Sequence, residues 1–192
     1  MEETSRCKMS GFMAQLRQHD SVGAMALEFC VLTAARSVEV LGASWDEVSP
    51  KEKIWIVPPE RMKEAREHRI PLSPRAMAIL RSLRAAKAGL FIFSGQKQDQ
   101  ALSSMAMAMQ QRRMGRGDIT VHGLRSSFRD WVTEETDFPR ELAEQALAHT
   151  LQNKTEAAYR RGDAIEKRRA MMEAWADFCE PGGVAQALSR EI

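Results

Sequence analysis

The sequence predicts an α+β domain, mainly α, with one small three-stranded antiparallel sheet. Three observations carry that prediction. Apolar residues recur at helical spacing through most of the 192 residues. The period shortens to an alternation only once, between Trp45 and Leu72. No internal repeat or low-complexity linker divides the chain, and its length suits one domain with a proper core.

The elements follow in order. Residues 11–33 read as two helices, with Phe12 and Leu16 in the first and Ala26, Leu27, Cys30 and Val31 in the second. Asp20-Ser21-Val22-Gly23 parts them. A short helical piece runs from Arg36 to Leu41, and Gly42 stops it. Trp45, Val48, Ile54 and Ile56 then alternate about Ser49-Pro50-Lys51-Glu52 as a hairpin. His68-Arg69-Ile70-Pro71-Leu72 supplies the third strand, and Pro71 puts it at an edge or end. Ser73-Pro74 opens a helix with Ala76, Ile79, Leu80 and Leu83 as its apolar stripe. Leu90 to Phe93 is a short buried segment, followed by a polar loop, Ser94 to Gln100. Leu102 to Met114 is helical, and Met105, Met107 and Met109 read as core filler. After the turn Gly115 to Asp118, a helix from His122 to Thr133 carries Leu124, Phe128 and Trp131 on one face. Helices from Pro139 to Ala148, Lys154 to Arg161 and Ile165 to Cys179 complete the domain, and residues 181–192 read as a flexible tail.

Composition excludes several classes. With 44% apolar and 28% charged residues the chain is an ordinary globular one. No apolar run approaches the roughly 20 residues that span a bilayer, and Met1 to Gly11 has no signal-peptide core. Cys7, Cys30 and Cys179 are odd in number and widely spaced, which argues against a disulfide framework or a zinc site and for a reducing cytoplasm. The net charge is only +2, but it is sorted along the chain. Basic residues gather from Arg61 to Arg75, from Arg112 to Arg129 and from Lys154 to Arg169, with an acidic stretch between Glu134 and Glu144. Such sorting suits either solvated helix faces or basic faces offered to a polyanion. There is no phosphate loop of the GxxxxGK[ST] kind, no HExxH, no carboxylate cluster for a metal and no GxSxG.

What remains is a set of cations and imidazoles near helix ends. His122 and Arg125 lie three apart at a helix start, where an oxyanion can bind. The apolar stripe of that helix predicts that the pair faces outward or into a cleft. Each candidate also has an ordinary structural explanation. Arg36 can pair with Glu39, Lys63 can be a solvated loop lysine, and His149 can cap a helix C-terminus. Tyr159, the single tyrosine of the chain, can be a half-buried amphipathic residue.

Their order is more informative than any one of them. The stretches LTAARSVEVLGASWDEV, RMKEAREHRIPLS, VHGLRSSFRDW and ALAHTLQNKTEAAYRRGDAIEKRRAMMEAWADF resemble, in sequence, the first arginine box, the lysine hairpin, the HxxR box and the histidine and tyrosine boxes of the tyrosine recombinase (phage integrase) family. The wording is closest to integrases of prophages and genomic islands, and the resemblance spans roughly residues 10 to 180.

The resemblance implies the helical catalytic domain of a DNA breaking-rejoining enzyme over residues 1–180, with residues 164–180 a C-terminal helix that packs in cis or docks on a neighbouring protomer. It implies that Tyr159 is the nucleophile, that Arg36 and Arg125 bind the non-bridging oxygens of the scissile phosphate, and that Lys63 protonates the leaving 5′-oxygen. His122 would take the tyrosine proton or hold the phosphate, His149 would donate a further hydrogen bond, and Glu39 would support the site. Arg61, Arg66, Arg112, Arg113, Arg160 and Arg161 are the further candidate DNA contacts. No metal is expected, because two guanidiniums would neutralise the charge on phosphorus, and no nucleotide cofactor, because the bond energy would be kept in the phosphotyrosine. Expected partners are duplex attachment sites, three further protomers on synapsed DNA, and a DNA-bending host factor. The free chain is expected to be a monomer, cytoplasmic and nucleoid-associated. The family's N-terminal arm-binding and core-binding modules find no counterpart before Arg36, so weak DNA binding with residual cleavage is expected. A non-catalytic DNA-binding or regulatory remnant is the alternative. A type IB topoisomerase matches the text less well, and a metal-dependent nuclease lacks ligands.

Overall fold

A computed structural model describes residues 2–86, 89–95, 100–149 and 164–181. Helix α1 (Glu2–Leu16) begins well before the first apolar repeat and is followed by α2 (Val22–Thr33). The Ser21 hydroxyl caps α2 by accepting from the amide of Ala24 at 3.1 Å. Every residue from Ala26 to Thr33 is buried and all but Glu28 and Thr33 are apolar, so α2 becomes the central helix. It packs against α1, α3 (Ser37–Leu41), α4 (Pro74–Ala86), α5 (Ala106–Arg113), α6 (Val121–Glu135) and the last helix, α8 (Ile165–Cys179). Its one carboxylate, Glu28, is buried and accepts from Arg17 at 2.7 Å and from Arg75 at 2.7 and 2.8 Å. Those two cations offset the penalty of burying a carboxylate.

The sheet is antiparallel in the order β1 (Val48–Ser49), β2 (Ile54–Val57), β3 (His68–Pro71). Pro71 ends the edge strand, as a residue with no amide donor must. Two details differ from the sequence reading. Trp45 lies in a 3-10 turn, not a strand, because Ser44 opens that turn and pairs instead with Phe91. The inward face is Trp55 and Val57, set opposite Ile70 and His68, while Ile56 lies only partly buried on the other face. The ring of Trp55 packs 5.5 Å from that of Phe29 on α2, which selects that face. Gly42 does end α3, but at φ −92°. A Cβ there would meet the Arg61 guanidinium at 3.0 Å, so a larger residue would have to displace that side chain.

The methionine reading is half right. Met107 is buried in the core, whereas Met105 and Met109 are 49% and 41% exposed, one turn apart on the opposite face of α5. Only one side of so short a helix can reach α2. The α5 helix also starts four residues later than expected, after the bridge between Ser94 and Ala101.

The last helix packs in cis. Met171, Met172, Trp175, Phe178 and Cys179 are buried, and the rings of Phe128, Trp131, Trp175 and Phe178 form one cluster between α6 and α8. The Trp175 indole donates to the Val31 carbonyl at 2.8 Å, and Arg168, also buried, donates to the Arg69 carbonyl at 2.7 Å. Arg17 ties the far end down through Glu180 at 2.6 Å. The helix expected at 154–161, with Tyr159, Arg160 and Arg161, lies outside the described residues, as does the tail from 182.

Candidate active site

The site is assembled where α2, α3, α6 and α7 (Arg140–Ala146) end or begin. Arg36 is the N-cap residue of α3. Its amide donates to one Glu39 oxygen at 2.8 Å and its guanidinium to the other at 2.7 Å. The buried Glu39 therefore fixes both the main chain and the side chain of Arg36. The free end of the guanidinium donates to the Ala148 carbonyl at 3.4 Å.

Arg125 corrects the sequence reading. His122 is exposed as expected, but Arg125 is only 7% exposed and does not share that open face. Residues three apart share a helical flank, and Arg125 is also three before Phe128, so α2 and the end of α7 close over it. Its guanidinium donates to the Ala34 carbonyl at 2.7 Å and to the Leu147 carbonyl. No described carboxylate touches it. Burial and then the nearby positive charge of Arg36 lower its pKa to about 10, which still leaves it a cation at neutral pH.

The two arginines thus reach successive carbonyls, Leu147 and Ala148, immediately before His149. Two acceptors are aimed by left-handed backbone: Ala34, the C-cap of α2, has φ 50°, and Ala148 has φ 47°. Alanine in that region costs about 1–2 kcal/mol, a strain the surrounding contacts hold. His149 is oriented by Glu144, with Nδ1 2.6 Å from the carboxylate. Nδ1 must then carry the proton, which leaves Nε2 on the open side. Glu144 in turn pairs with Arg129 at 3.1 Å.

Lys63 and His122 are placed differently. Lys63 is exposed in the loop between β2 and β3, and His122 is exposed in the first turn of α6, whose N-cap is Thr120. Neither has a hydrogen bond or ion pair with a described residue, and none links them to the arginines.

Of the further candidate contacts, Arg66, Arg112 and Arg113 are exposed. Arg61 departs from the expectation. It turns inward and donates to the Glu47 carboxylate and the Glu39 carbonyl, while Glu47 also accepts from the Trp55 indole at 2.8 Å. That chain of contacts bolts the root of the Lys63 loop to the helix that carries Arg36 and Glu39.

Sequence reasoning passed over three residues near the site. His68 faces inward from β3 with its Nε2 3.0 Å from the Ala146 carbonyl. Glu144 orients His149. Arg168 lies on the apolar face of α8 three and four before Met171 and Met172, a spacing that signalled its burial. No three His, Cys, Asp or Glu side chains among the described residues gather as metal ligands.

Comparisons with known proteins bear on the fold and the family. Lambda integrase (75-356), solved as a dimer bound to a COC′ core site, is similar at TM-score 0.55 and 19% identity, over 77% of this chain and 56% of that one. XerA recombinase is similar at TM-score 0.59 and 15% identity, over 83% and 59%. At those identities the likeness shows the fold alone. In sequence, the prophage integrase IntA of Escherichia coli K12 is 40% identical over 151 residues, covering 77% of this chain and 36% of the relative. The integrase of Enterobacteria phage P4 is 28% identical over 174 residues, covering 81% and 40%. The chain spans well under half the length of these curated relatives. The sequence pattern of the phage integrase family matches residues 8–165, a stretch that includes every residue of the candidate catalytic set. The chain therefore belongs to the phage integrase family.

Proposed function

We propose that this chain is the catalytic domain of a site-specific recombinase that cuts and rejoins DNA through Tyr159, with no metal or nucleotide cofactor. One observation carries the reading. Arg36 and Arg125, from different helices, converge on successive carbonyls beside His149, and Arg125 is a buried cation with no described carboxylate against it. Its hydrogen bonds go to neutral carbonyls, and the Glu39 and Glu144 carboxylates act on it only from beyond hydrogen-bond reach, so the buried charge still attracts an anion where little water screens it. A phosphodiester is such an anion, and the guanidinium fork matches its oxygens.

In the proposed reaction the Tyr159 oxygen attacks phosphorus, and the bond from phosphorus to the 5′-oxygen breaks. His122 takes the phenolic proton, and Lys63 gives a proton to the departing 5′-oxygen. Arg36 and Arg125 stabilise the charge that grows on the non-bridging oxygens. His149 adds a hydrogen bond from Nε2 when its ring carries both protons. A phenol with a pKa of about 10 needs such an acceptor and such a cationic surrounding near neutral pH. The product is a 3′-phosphotyrosine and a free 5′-hydroxyl. Attack by the 5′-hydroxyl of another strand reverses these steps and releases Tyr159.

The partner in this reading is a duplex attachment site, contacted through Arg66, Arg112, Arg113, Arg160 and Arg161. Lambda integrase has also been solved as a tetramer bound to a Holliday junction, and we infer the same stoichiometry on synapsed DNA. No described helix is long and apolar enough to cross a membrane, and we place the reaction in the cytoplasm.

The test is a nicked duplex of the attachment site, which loses a short fragment once cut and so traps the cleaved state. A covalent protein–DNA band on a denaturing gel is expected, lost in Tyr159→Phe and unchanged by chelator. DNA binding without any covalent band would support a non-catalytic module. Cleavage that needs a divalent cation would overturn the reading.

A further inference from the structure

The C-terminal end of α7 is held by three side chains from three elements. Its successive carbonyls at Ala146, Leu147 and Ala148 accept from His68 of β3, Arg125 of α6 and Arg36 at the start of α3. The last carbonyls of a helix have no intrahelical partner, so each donor fills a real vacancy. Two of these donors are the arginines of the proposed phosphate site. The third, His68, has no hydrogen bond to any proposed reacting group among the described residues.

Register puts His68 there. It pairs with Val57 across the sheet and shares the inward face with Ile70. A carbonyl only accepts, so Nε2 carries the proton of the hydrogen bond to Ala146. The ring is buried and faces the guanidiniums of Arg168 on α8, Arg125 on α6 and Arg36 on α3. Burial and those charges keep it neutral. A neutral donor fits this place, since another cation would repel the two arginines that must stay for the phosphate.

We propose that His68 is a positioning residue for the phosphate site: its Nε2–H pins the Ala146 carbonyl, and so sets Leu147, Ala148 and His149 in register with Arg125 and Arg36. The catalytic consequence rests on the recombinase reading; the pinning does not. His149 follows the pinned carbonyl by three residues, and its amide donates to the Glu144 carbonyl at 2.9 Å. Release of Ala146 would loosen that turn. It would let His149 and both arginines drift, and displacements near 1 Å at a catalytic centre cost on the order of 10²-fold in rate.

The test uses the whole 192-residue chain with His68→Phe and His68→Gln. Phenylalanine keeps the bulk and loses the donor; glutamine places an amide N–H near the position of Nε2. Amide hydrogen exchange is read at Leu147, Ala148 and His149 against amides of α2. Formation of the covalent complex on the nicked duplex is timed, and DNA affinity is measured beside it. In His68→Phe, exchange at Ala148 and His149 should rise about tenfold or more relative to α2. Cleavage should slow by about tenfold or more, while the Kd for DNA stays within about twofold. His68→Gln should recover most of both losses. If His68→Phe does not fold, His68→Asn, whose amide stops near Nδ1, takes its place. Unchanged exchange at 147–149 in the donor-less variant would overturn the pinning. Faster exchange with undiminished cleavage would overturn the catalytic consequence. A wild-type chain that forms no covalent complex would sink the recombinase reading, and the exchange result would still decide the pinning.

Discussion

Two halves of the candidate site are built on different principles. Arg36, Arg125 and His149 are each held by partners that fix both position and direction: Glu39 and Ala148, Ala34 and Leu147, and Glu144. Lys63 and His122 stand exposed, with no described partner. The held groups are those assigned to bind the phosphate, and the open groups are those assigned to move protons. That division has a physical basis. A cation stabilises a charged transition state most when it need not reorganise during the reaction. A proton donor or acceptor works only within hydrogen-bond reach of its substrate, and such contacts commonly tighten only when substrate is present.

The largest effects should come from the open half, and they should leave folding alone. Lys63→Ala and His122→Ala are expected to slow single-turnover cleavage by about 10²–10⁴. Neither should change the melting temperature, since neither side chain has a described contact to lose. Lys63→Ala carries a sharper test. A substrate with sulfur in place of the 5′-oxygen leaves as a thiolate and needs no acid, so it should recover most of the lost rate. No recovery would remove Lys63 from the acid role.

In the held half, Arg125→Ala is expected to cost about 10²–10³ in the same assay, and it should also lower the melting temperature. Equal melting of the variant and the wild type would mean that Arg125 is not part of the structural lock.

The pH dependence of stability isolates His68. Its pKa in the fold is lowered to about 4 from 6.5, by burial first and by the charge of Arg168 next. The unfolded chain therefore binds the proton first as pH falls. The associated stability is complete above pH 6.5 and is lost as pH falls towards 4, by roughly 3 kcal/mol in all. Denaturant unfolding at several pH values should show that loss in wild type and a shallower slope between pH 6.5 and 4 in His68→Gln. Parallel slopes would contradict the buried, neutral imidazole.

The smallest effects concern the two left-handed alanines. Ala34→Gly and Ala148→Gly relieve the strain at positive φ, offset by the extra chain entropy of glycine, so each should shift stability by about 1 kcal/mol or less. Ala34→Val should destabilise by more than either, since a branched side chain fits that region worst.

How far the sequence reveals this division depends on the range of the contacts. Most positions of the described helices, the edge strand at Pro71 and the pairing of Arg36 with Glu39 follow from local spacing, and the structure keeps them. The family boxes placed the whole candidate set in order. The fate of each arginine was less legible. Arg61 looks like a loop cation but is drawn inward by Glu47, fourteen residues earlier. Arg125 looks outward-facing until α2 and α7 cover it, through acceptors at Ala34 and Leu147. His68 meets Ala146 across 78 residues, and no local period marks that encounter. Donors and acceptors joined only by tertiary packing are what the one-dimensional pattern omits.

The central claim is that Tyr159, and no other group, carries the broken strand. The most direct measurement traps the complex on the nicked duplex, trims the DNA with nucleases and identifies the modified peptide by mass spectrometry. The account predicts a nucleotide joined through a 3′-phosphate to the peptide that contains Tyr159, and a 5′-hydroxyl on the released strand that accepts label from a polynucleotide kinase. An adduct on any other residue, or a 5′-phosphate on the released strand, would contradict it.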